Sequence, residues 1–480
     1  MVAKEEAPLS IVYAVSALML VAAGLYWLPR IAARPGPSNN LPLTGQTFPA
    51  GFLWGTGEDA YQHEGGNDRA DWYAWERSDP RPFADGSVSG ACVDFWNRYE
   101  EDFARASADG QNFHRIGIEW SRVEPTPGCY DESAFGHYRL MLESLKAKGM
   151  RVAVNLWHFT LPAWAAAAGA WENPDTMMRW EAYTAECGRR FGNLVDYWST
   201  MIDAQIYVLR GYFTGEIPPL KHDPAAGVRV LATLAVAHGR AYRILKPYGG
   251  KVGMIYFFSL CQSGGNPLDA FVTGQFDRIF NWDLPDALHT GRLRVAITGV
   301  PQLDETIPEA AGTLDWLGVN YYYREIIRFN PKAQGLVDRG PAPGAALTDL
   351  GWEIYPEGMY RLCKALQRRY PGVPLMITEN GIADRTDEKR PRFILDHLAW
   401  VHRLLSEGCP IASYSYWSGT DNLEWLDGFT PKFGLYRVDL RTMERLETAS
   451  ARLYRFIATS NRLPAEPELA GILDPPSQAG

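Results

Sequence analysis

Two carboxylic residues stand at the C-terminal ends of strand-like runs. Asp203 closes residues 195–203 (VDYWSTMID), and Glu379 lies inside Ile377–Thr378–Glu379–Asn380–Gly381. A pair of carboxyl groups facing one another can cleave an acetal. One attacks the acetal carbon as a carboxylate and the other gives a proton to the departing oxygen, through an oxocarbenium-like state. Neither residue makes that case alone, because Thr–Glu–Asn–Gly also reads as an ordinary turn. Whether the two meet depends on the elements that carry them.

Short apolar runs recur at 52–58, 113–120, 151–159, 195–203, 252–259, 316–323, 374–381 and 411–418. Amphipathic stretches such as 134–148, 175–191, 227–245 and 356–370 separate them. Strands alternating with helices imply a parallel sheet covered by helices. Eight such units predict an α/β fold, a (β/α)8 TIM barrel with long loops over residues 49–460. Polar and aromatic residues crowd at the C-terminal ends of the runs, the face on which such barrels place their sites. A doubly wound open sheet is the alternative, but no GxGxxG or GxxxxGK follows any run.

Composition narrows the partners. The net charge is −9 and no basic run stands out, which excludes a nucleic-acid partner. Seventeen Trp suit either core packing or the apolar faces of sugar rings. The cysteines Cys92, Cys129, Cys187, Cys261, Cys363 and Cys409 are scattered, with no CxxC pair or Cys/His cluster, so neither a zinc site nor a small disulfide scaffold is indicated. Free, mostly buried thiols are expected.

Residues 1–7 form a short charged tail, and residues 8–28 (PLSIVYAVSALMLVAAGLYWL) carry no charge. As a helix rising 1.5 Å per residue, that stretch would cross roughly 30 Å of bilayer core. Tyr26 and Trp27 suit the interface, and Glu5 and Glu6 argue against the basic front of a cleaved signal peptide. A single-pass transmembrane anchor is therefore expected. Arg30 and Arg34 behind it place the large C-terminal part weakly on the cytoplasmic side. Residues 29–48 read as a Pro/Gly-rich linker and 461–480 as a flexible tail.

The chain resembles glycoside hydrolase family 1, the β-glucosidase/β-galactosidase barrel. The resemblance rests on Phe52–Leu53–Trp54–Gly55 with Tyr61–Gln62–His63–Glu64–Gly65, on Arg115 through Arg122 (RIGIEWSR), and on Trp157–His158 leading to Trp164. It continues through Gly318–Val319–Asn320–Tyr321–Tyr322, Ile377 through Gly381, and Tyr416 through Trp425 followed by Phe433–Gly434–Leu435–Tyr436. It covers about residues 50–458, with its motifs in family order. It implies Glu379 as the nucleophile that forms a glycosyl-enzyme, with Arg115 and Tyr322 keeping it ionised. It further implies Gln62, Glu424 and Trp425 as a clamp on the far hydroxyls, His158 as a hydroxyl binder and Trp417 as the floor under the ring. Asn320 and Phe433 complete the substrate-binding set. The implied substrate is a β-linked sugar, free or lipid-linked. No metal or organic cofactor is implied, and the oligomeric state is left open.

One segment departs from the family pattern. Where the family reads Thr–Phe–Asn–Glu–Pro, this chain reads Thr200–Met201–Ile202–Asp203–Ala204, with the register pinned by Gly211 through Gly215 and by Pro218–Pro219. Asp203 thus takes the acid/base position with an arm about 1.5 Å shorter, and Ile202 replaces an Asn that bonds the 2-hydroxyl. Three readings follow: a retaining hydrolase with a shortened acid/base, a membrane-associated transglycosylase that hands the sugar to another hydroxyl such as a glycolipid's, or a glycan-binding protein without turnover. Plant envelope relatives that remodel galactolipids share an N-terminal anchor, which suits the second.

Overall fold

The computed structural model describes residues 40–333 and 336–474. The anchor expected over 8–28 lies outside them. Among the described residues no helix is long and apolar enough to cross a membrane.

Eight parallel strands close into a barrel: β1 (Leu53–Glu58), β2 (Phe113–Gly117), β3 (Arg151–Asn155), β4 (Tyr197–Ile202), β5 (Lys251–Phe257), β6 (Trp316–Asn320), β7 (Leu375–Asn380) and β8 (Ile411–Tyr416). Each pairs with its neighbours in sequence, and β1 closes the ring on β8 with Trp54 opposite Tyr414. Helices cover the outside, among them α1 (Phe95–Ala108), α2 (Glu132–Ala147), α3 (Pro174–Phe191), α4 (Pro224–Leu245), α5 (Glu357–Arg369), α6 (Arg390–Ser406) and α7 (Ala449–Ser460). Several start where a short polar side chain satisfies a free backbone N–H. Asp131 accepts from Ala134, Asn173 from Asp175, Asp223 from Ala226 and Thr448 from Ala451, and Pro174 and Pro224 occupy first helical positions, where no N–H is needed.

The barrel is filled from within. Leu53, Phe113, Ala153, Tyr197 with Ile202, Ile255, Trp316, Met376 and Ala412 form one apolar plug to which every strand contributes. A larger core lies between strands and helices. Because side chains alternate along a strand, the residues two steps beyond the plug also face inward. On β1 these are Gly55 and Gly57. A Cβ on Gly55 would lie 2.4 Å from the Phe113 carbonyl oxygen, and one on Gly57 2.8 Å from Arg115 Nε. Glycine there lets the Arg115 guanidinium lie against β1, above the plug.

All strands but β1, which reaches Glu58, stop before the ends of the runs read from sequence, because the last residues of those runs carry the site. Asp203 (φ +55°) and Phe159 (φ +65°) adopt left-handed backbone that cannot continue a strand. The termini also differ from expectation. Leu43 and Phe48, within the linker expected over 29–48, are buried. Thr44 and Thr47 make antiparallel bridges to Ala465 and Arg462, and Arg462 forms a two-pronged ion pair with Glu468. Of residues 461–474, Arg462 and Ala465 are thus joined to the start of the barrel domain, and the short helix Leu469–Leu473 packs against α7. Residues 475–480 of the expected tail lie outside the described residues.

Candidate active site

Glu379 leaves the tip of β7, opposite Asn320 of β6. It is buried, and both carboxylate oxygens are engaged. Arg115 Nη2, from β2, donates to Oε1 at 2.6 Å, and the Tyr322 hydroxyl donates to Oε2 at 2.6 Å. Tyr322 is itself held by Phe433, edge-on at 6.1 Å, and by Phe257, stacked at 5.6 Å. Burial raises the pKa of Glu379 above its ordinary value; Arg115 opposes this, while the charge of Asp59 adds to it. Arg115 and Tyr322 thus limit the rise without reversing it.

Asp203 leaves β4 and begins the short helix Ala204–Val208. Its left-handed backbone suits Asp, whose short polar side chain tolerates this region better than Glu does. Its Oδ1 accepts from Asn320 Nδ2 at 3.3 Å, and Asn320 Oδ1 in turn accepts from the Thr378 hydroxyl at 2.8 Å. One stretch therefore positions both carboxyls: Asn320 touches Asp203, and Tyr322, two residues on, touches Glu379. Burial pushes Asp203 well above the usual carboxylate range, and the charges of Glu379 and Asp59 push it further. Of the coupled pair, Asp203 holds its proton and Glu379, beside the guanidinium, is the carboxylate.

The other expected site residues gather at the same end of the barrel. Gln62 donates through Nε2 to Asn422 Oδ1 (3.1 Å) and the Leu423 carbonyl (2.9 Å), leaving its buried Oε1 with no protein partner. Glu424 Oε2 is likewise buried and unpartnered, and burial together with Asp427 and Glu379 moves its carboxyl up to about 8. Trp425 lies parallel to Tyr61 at 6.5 Å and edge-on to His158 at 4.8 Å. Trp417 places its ring 5.5 Å from the Arg115 guanidinium carbon. His158 Nε2 is buried without a protein partner. These orphaned polar atoms, all at the strand tips, are the kind that a polyhydroxylated ligand would satisfy. Asn320 and Phe433 differ from the rest: the first bonds Asp203 and Thr378, and the second packs against Tyr322 and Trp352. Ile202 belongs to the apolar plug, so no side-chain donor is available from that position.

Two buried acid–base contacts were not singled out from the sequence. Asp59, between the motifs Phe52–Gly55 and Tyr61–Gly65, sits 3.2 Å from Arg115 Nη1 through Oδ1 and 3.1 Å from His158 Nδ1 through Oδ2. Glu58 pairs with His114 one layer out. The available signal was period two: Asp59 continues the inward row Leu53, Gly55, Gly57. Among the described residues no cluster of His, Cys, Asp and Glu has the makings of a metal site, and the six cysteines are free.

The comparisons agree with this geometry. The sequence profile of glycosyl hydrolase family 1 matches residues 44–463. A β-galactosidase of Pyrococcus woesei is 32% identical over 502 aligned positions, covering 86% of this chain and 97% of its own. β-Glucosidase A of Acetivibrio thermocellus is 27% identical, covering 86% and 99%. Among solved structures, a β-glycosidase from Pyrococcus horikoshii superposes with a TM-score of 0.82 at 33% identity, covering 91% of this chain and 99% of that one. A family 1 β-glucosidase from Thermotoga maritima gives a TM-score of 0.82 at 25% identity, covering 88% and 100%. With the profile spanning nearly the whole described barrel, the chain belongs to glycosyl hydrolase family 1 and is a glycosidase.

Proposed function

We propose that the protein is a retaining β-glycosidase acting on β-glucoside and β-galactoside substrates, with Glu379 as nucleophile and Asp203 as a shortened acid/base. The observation that carries this reading is the asymmetry of the two carboxyls. Glu379 is clamped by Arg115 and Tyr322 as an anion, while Asp203, linked to the same segment through Asn320, holds a proton.

In the first step Glu379 attacks the anomeric carbon. The bond to the aglycone oxygen breaks as Asp203 gives that oxygen its proton. The product is a glycosyl ester of Glu379, whose negative charge is then gone. That charge was one of the influences holding the proton on Asp203, so Asp203 becomes more acidic once the ester forms. It is then an ionised base able to take a proton from water, which attacks the anomeric carbon and releases Glu379. Gln62 Oε1, Glu424 and His158 Nε2 receive the sugar hydroxyls, and Trp417 supplies an apolar face. With Ile202 in the plug, the 2-hydroxyl loses a contact that elsewhere strengthens in the transition state.

The shortened arm leaves the second step the more exposed one, since a misplacement of about 1 Å in a catalytic group costs on the order of a hundredfold. That feature favours transfer as a second outcome: an acceptor alcohol that binds well captures the glycosyl-enzyme in competition with water.

The testing experiment is a pH profile of kcat/KM on alkyl and aryl β-glucosides and β-galactosides, with product analysis with and without added alcohol or glycolipid acceptors. Retained β-configuration is expected. The acid limb should lie above pH 4.5, because activity requires Glu379 ionised and its pKa is raised above that ordinary value. The alkaline limb should lie well above the usual carboxylate range, because activity falls as Asp203 loses its proton. An inverted product, or activity undiminished at high pH on alkyl glycosides, contradicts the assignment.

A further inference from the structure

We propose that Asp59 is a positioning residue for this reaction, tuning the ionisation of Glu379 through Arg115 and holding the ring of His158 in place. The inference rests on the glycosidase reading above. Asp59 precedes the short helix Ala60–His63, yet its side chain makes no capping bond there. Its carboxylate instead points into the site, almost wholly buried, with one oxygen 3.2 Å from Arg115 Nη1 and the other 3.1 Å from His158 Nδ1. Arg115 is therefore forked, with Nη1 toward Asp59 and Nη2 on Glu379. Asp59, His158 and Trp425 line one recess together with Asn155 and Thr160.

Two consequences follow from this geometry. First, a single guanidinium serves two carboxylates. Glu379 receives only part of its stabilisation and also feels the charge of Asp59, so it ionises later than it would with Arg115 to itself. Although its burial opposes ionisation, the Arg115 and His158 contacts hold Asp59 down to about 2; Asp59 is thus a fixed negative charge throughout the working range. Second, the Asp59 carboxylate lies 3.1 Å from His158 Nδ1 and so holds the ring by that edge, leaving the buried Nε2, which has no protein partner, to meet a sugar hydroxyl.

The groups facing Glu379 and Asp59 come from six strand ends: His63 and Asp59 after β1, Arg115 on β2, His158 after β3, Asp203 after β4, Tyr322 after β6 and Glu424 after β8. Of these, Arg115 touches both carboxylates. Removing the charge of Asp59 therefore shifts both catalytic carboxyls in one direction, since it raises Glu379 and Asp203 alike. A merely structural ion pair would not do this.

The experiment is the pH profile of kcat/KM for Asp59→Asn against the natural protein and Asp59→Glu, with melting temperatures measured in parallel. The expected result is that Asp59→Asn moves both limbs to lower pH by about one unit and raises KM several-fold more than it lowers kcat. Asp59→Glu, which keeps the charge, should leave the limbs in place. Limbs that stay put in a folded Asp59→Asn protein overturn the proposal, whatever the loss of activity. Should Asp59→Asn not fold, the natural protein decides: a Glu379 ionisation at or below pH 4.5, read from the pH dependence of its labelling by a 2-fluoro glycoside, overturns it. Failure of the glycosidase reading is distinguishable, because it would show as no covalent labelling of Glu379 at any pH.

Discussion

Replacing Glu379 by Ala is expected to lower kcat on every β-glycoside, activated or not, by about four orders of magnitude or more. A nucleophile that forms the covalent intermediate cannot be bypassed by a better leaving group, and deletions of catalytic nucleophiles have effects of this order. The surrounding charges make the loss specific. Arg115 keeps Asp59 as a partner when Glu379 is gone, so no buried cation is left wholly unpaired and the fold should hold. Equal melting temperatures with a near-complete loss of turnover are the expected pair of readings. Activity within tenfold of the natural protein would remove Glu379 from the mechanism.

Replacing Asp203 by Ala has the second-largest expected effect, and a different signature. On alkyl glycosides, whose leaving oxygen needs a proton, kcat/KM should fall on the order of a hundred- to ten-thousandfold. On aryl glycosides with good leaving groups the first step needs little acid, so kcat/KM should change far less, and the alkaline limb should disappear because its titrating group is gone. Asp203→Glu should keep that limb while losing stability, because Glu tolerates the left-handed backbone at this position less well than Asp. Equal losses on both substrate types would instead mark Asp203 as structural.

The barrel and the identity of its site end were legible in the sequence because each strand carries its own evidence: an apolar run, then polar residues at its C-terminal tip. The motif residues Arg115, Tyr322 and Glu379 come together as the family resemblance implied, a cation and a hydroxyl around one carboxylate. What escaped were contacts between strands that the family motifs do not carry. Asp59 reads as one acidic residue in a turn until β2 and β3 bring Arg115 and His158 to its two oxygens. Asn320, implied as a sugar contact, also bonds Asp203 and Thr378, which come from other strands. Ile202 marked a missing amide in the sequence; its membership of the barrel's apolar plug depends on the irregular pairing of β4 with β5 between Ser199 and Ile202, which no local pattern reveals. The bridges of Arg462 and Ala465 to Thr47 and Thr44 escaped for a similar reason, because the two segments lie at opposite ends of the described chain.

The central claim is that Glu379 becomes esterified to the sugar during turnover. Incubating the protein with an activated 2-fluoro β-glucoside or β-galactoside, then digesting it and weighing the peptides, tests this directly. One fluoroglycosyl unit on Glu379, with activity lost in proportion and recovered slowly as the ester hydrolyses, is the result predicted. A fully active protein with no added mass, or a label on another carboxylate such as Asp59 or Glu424, would contradict it.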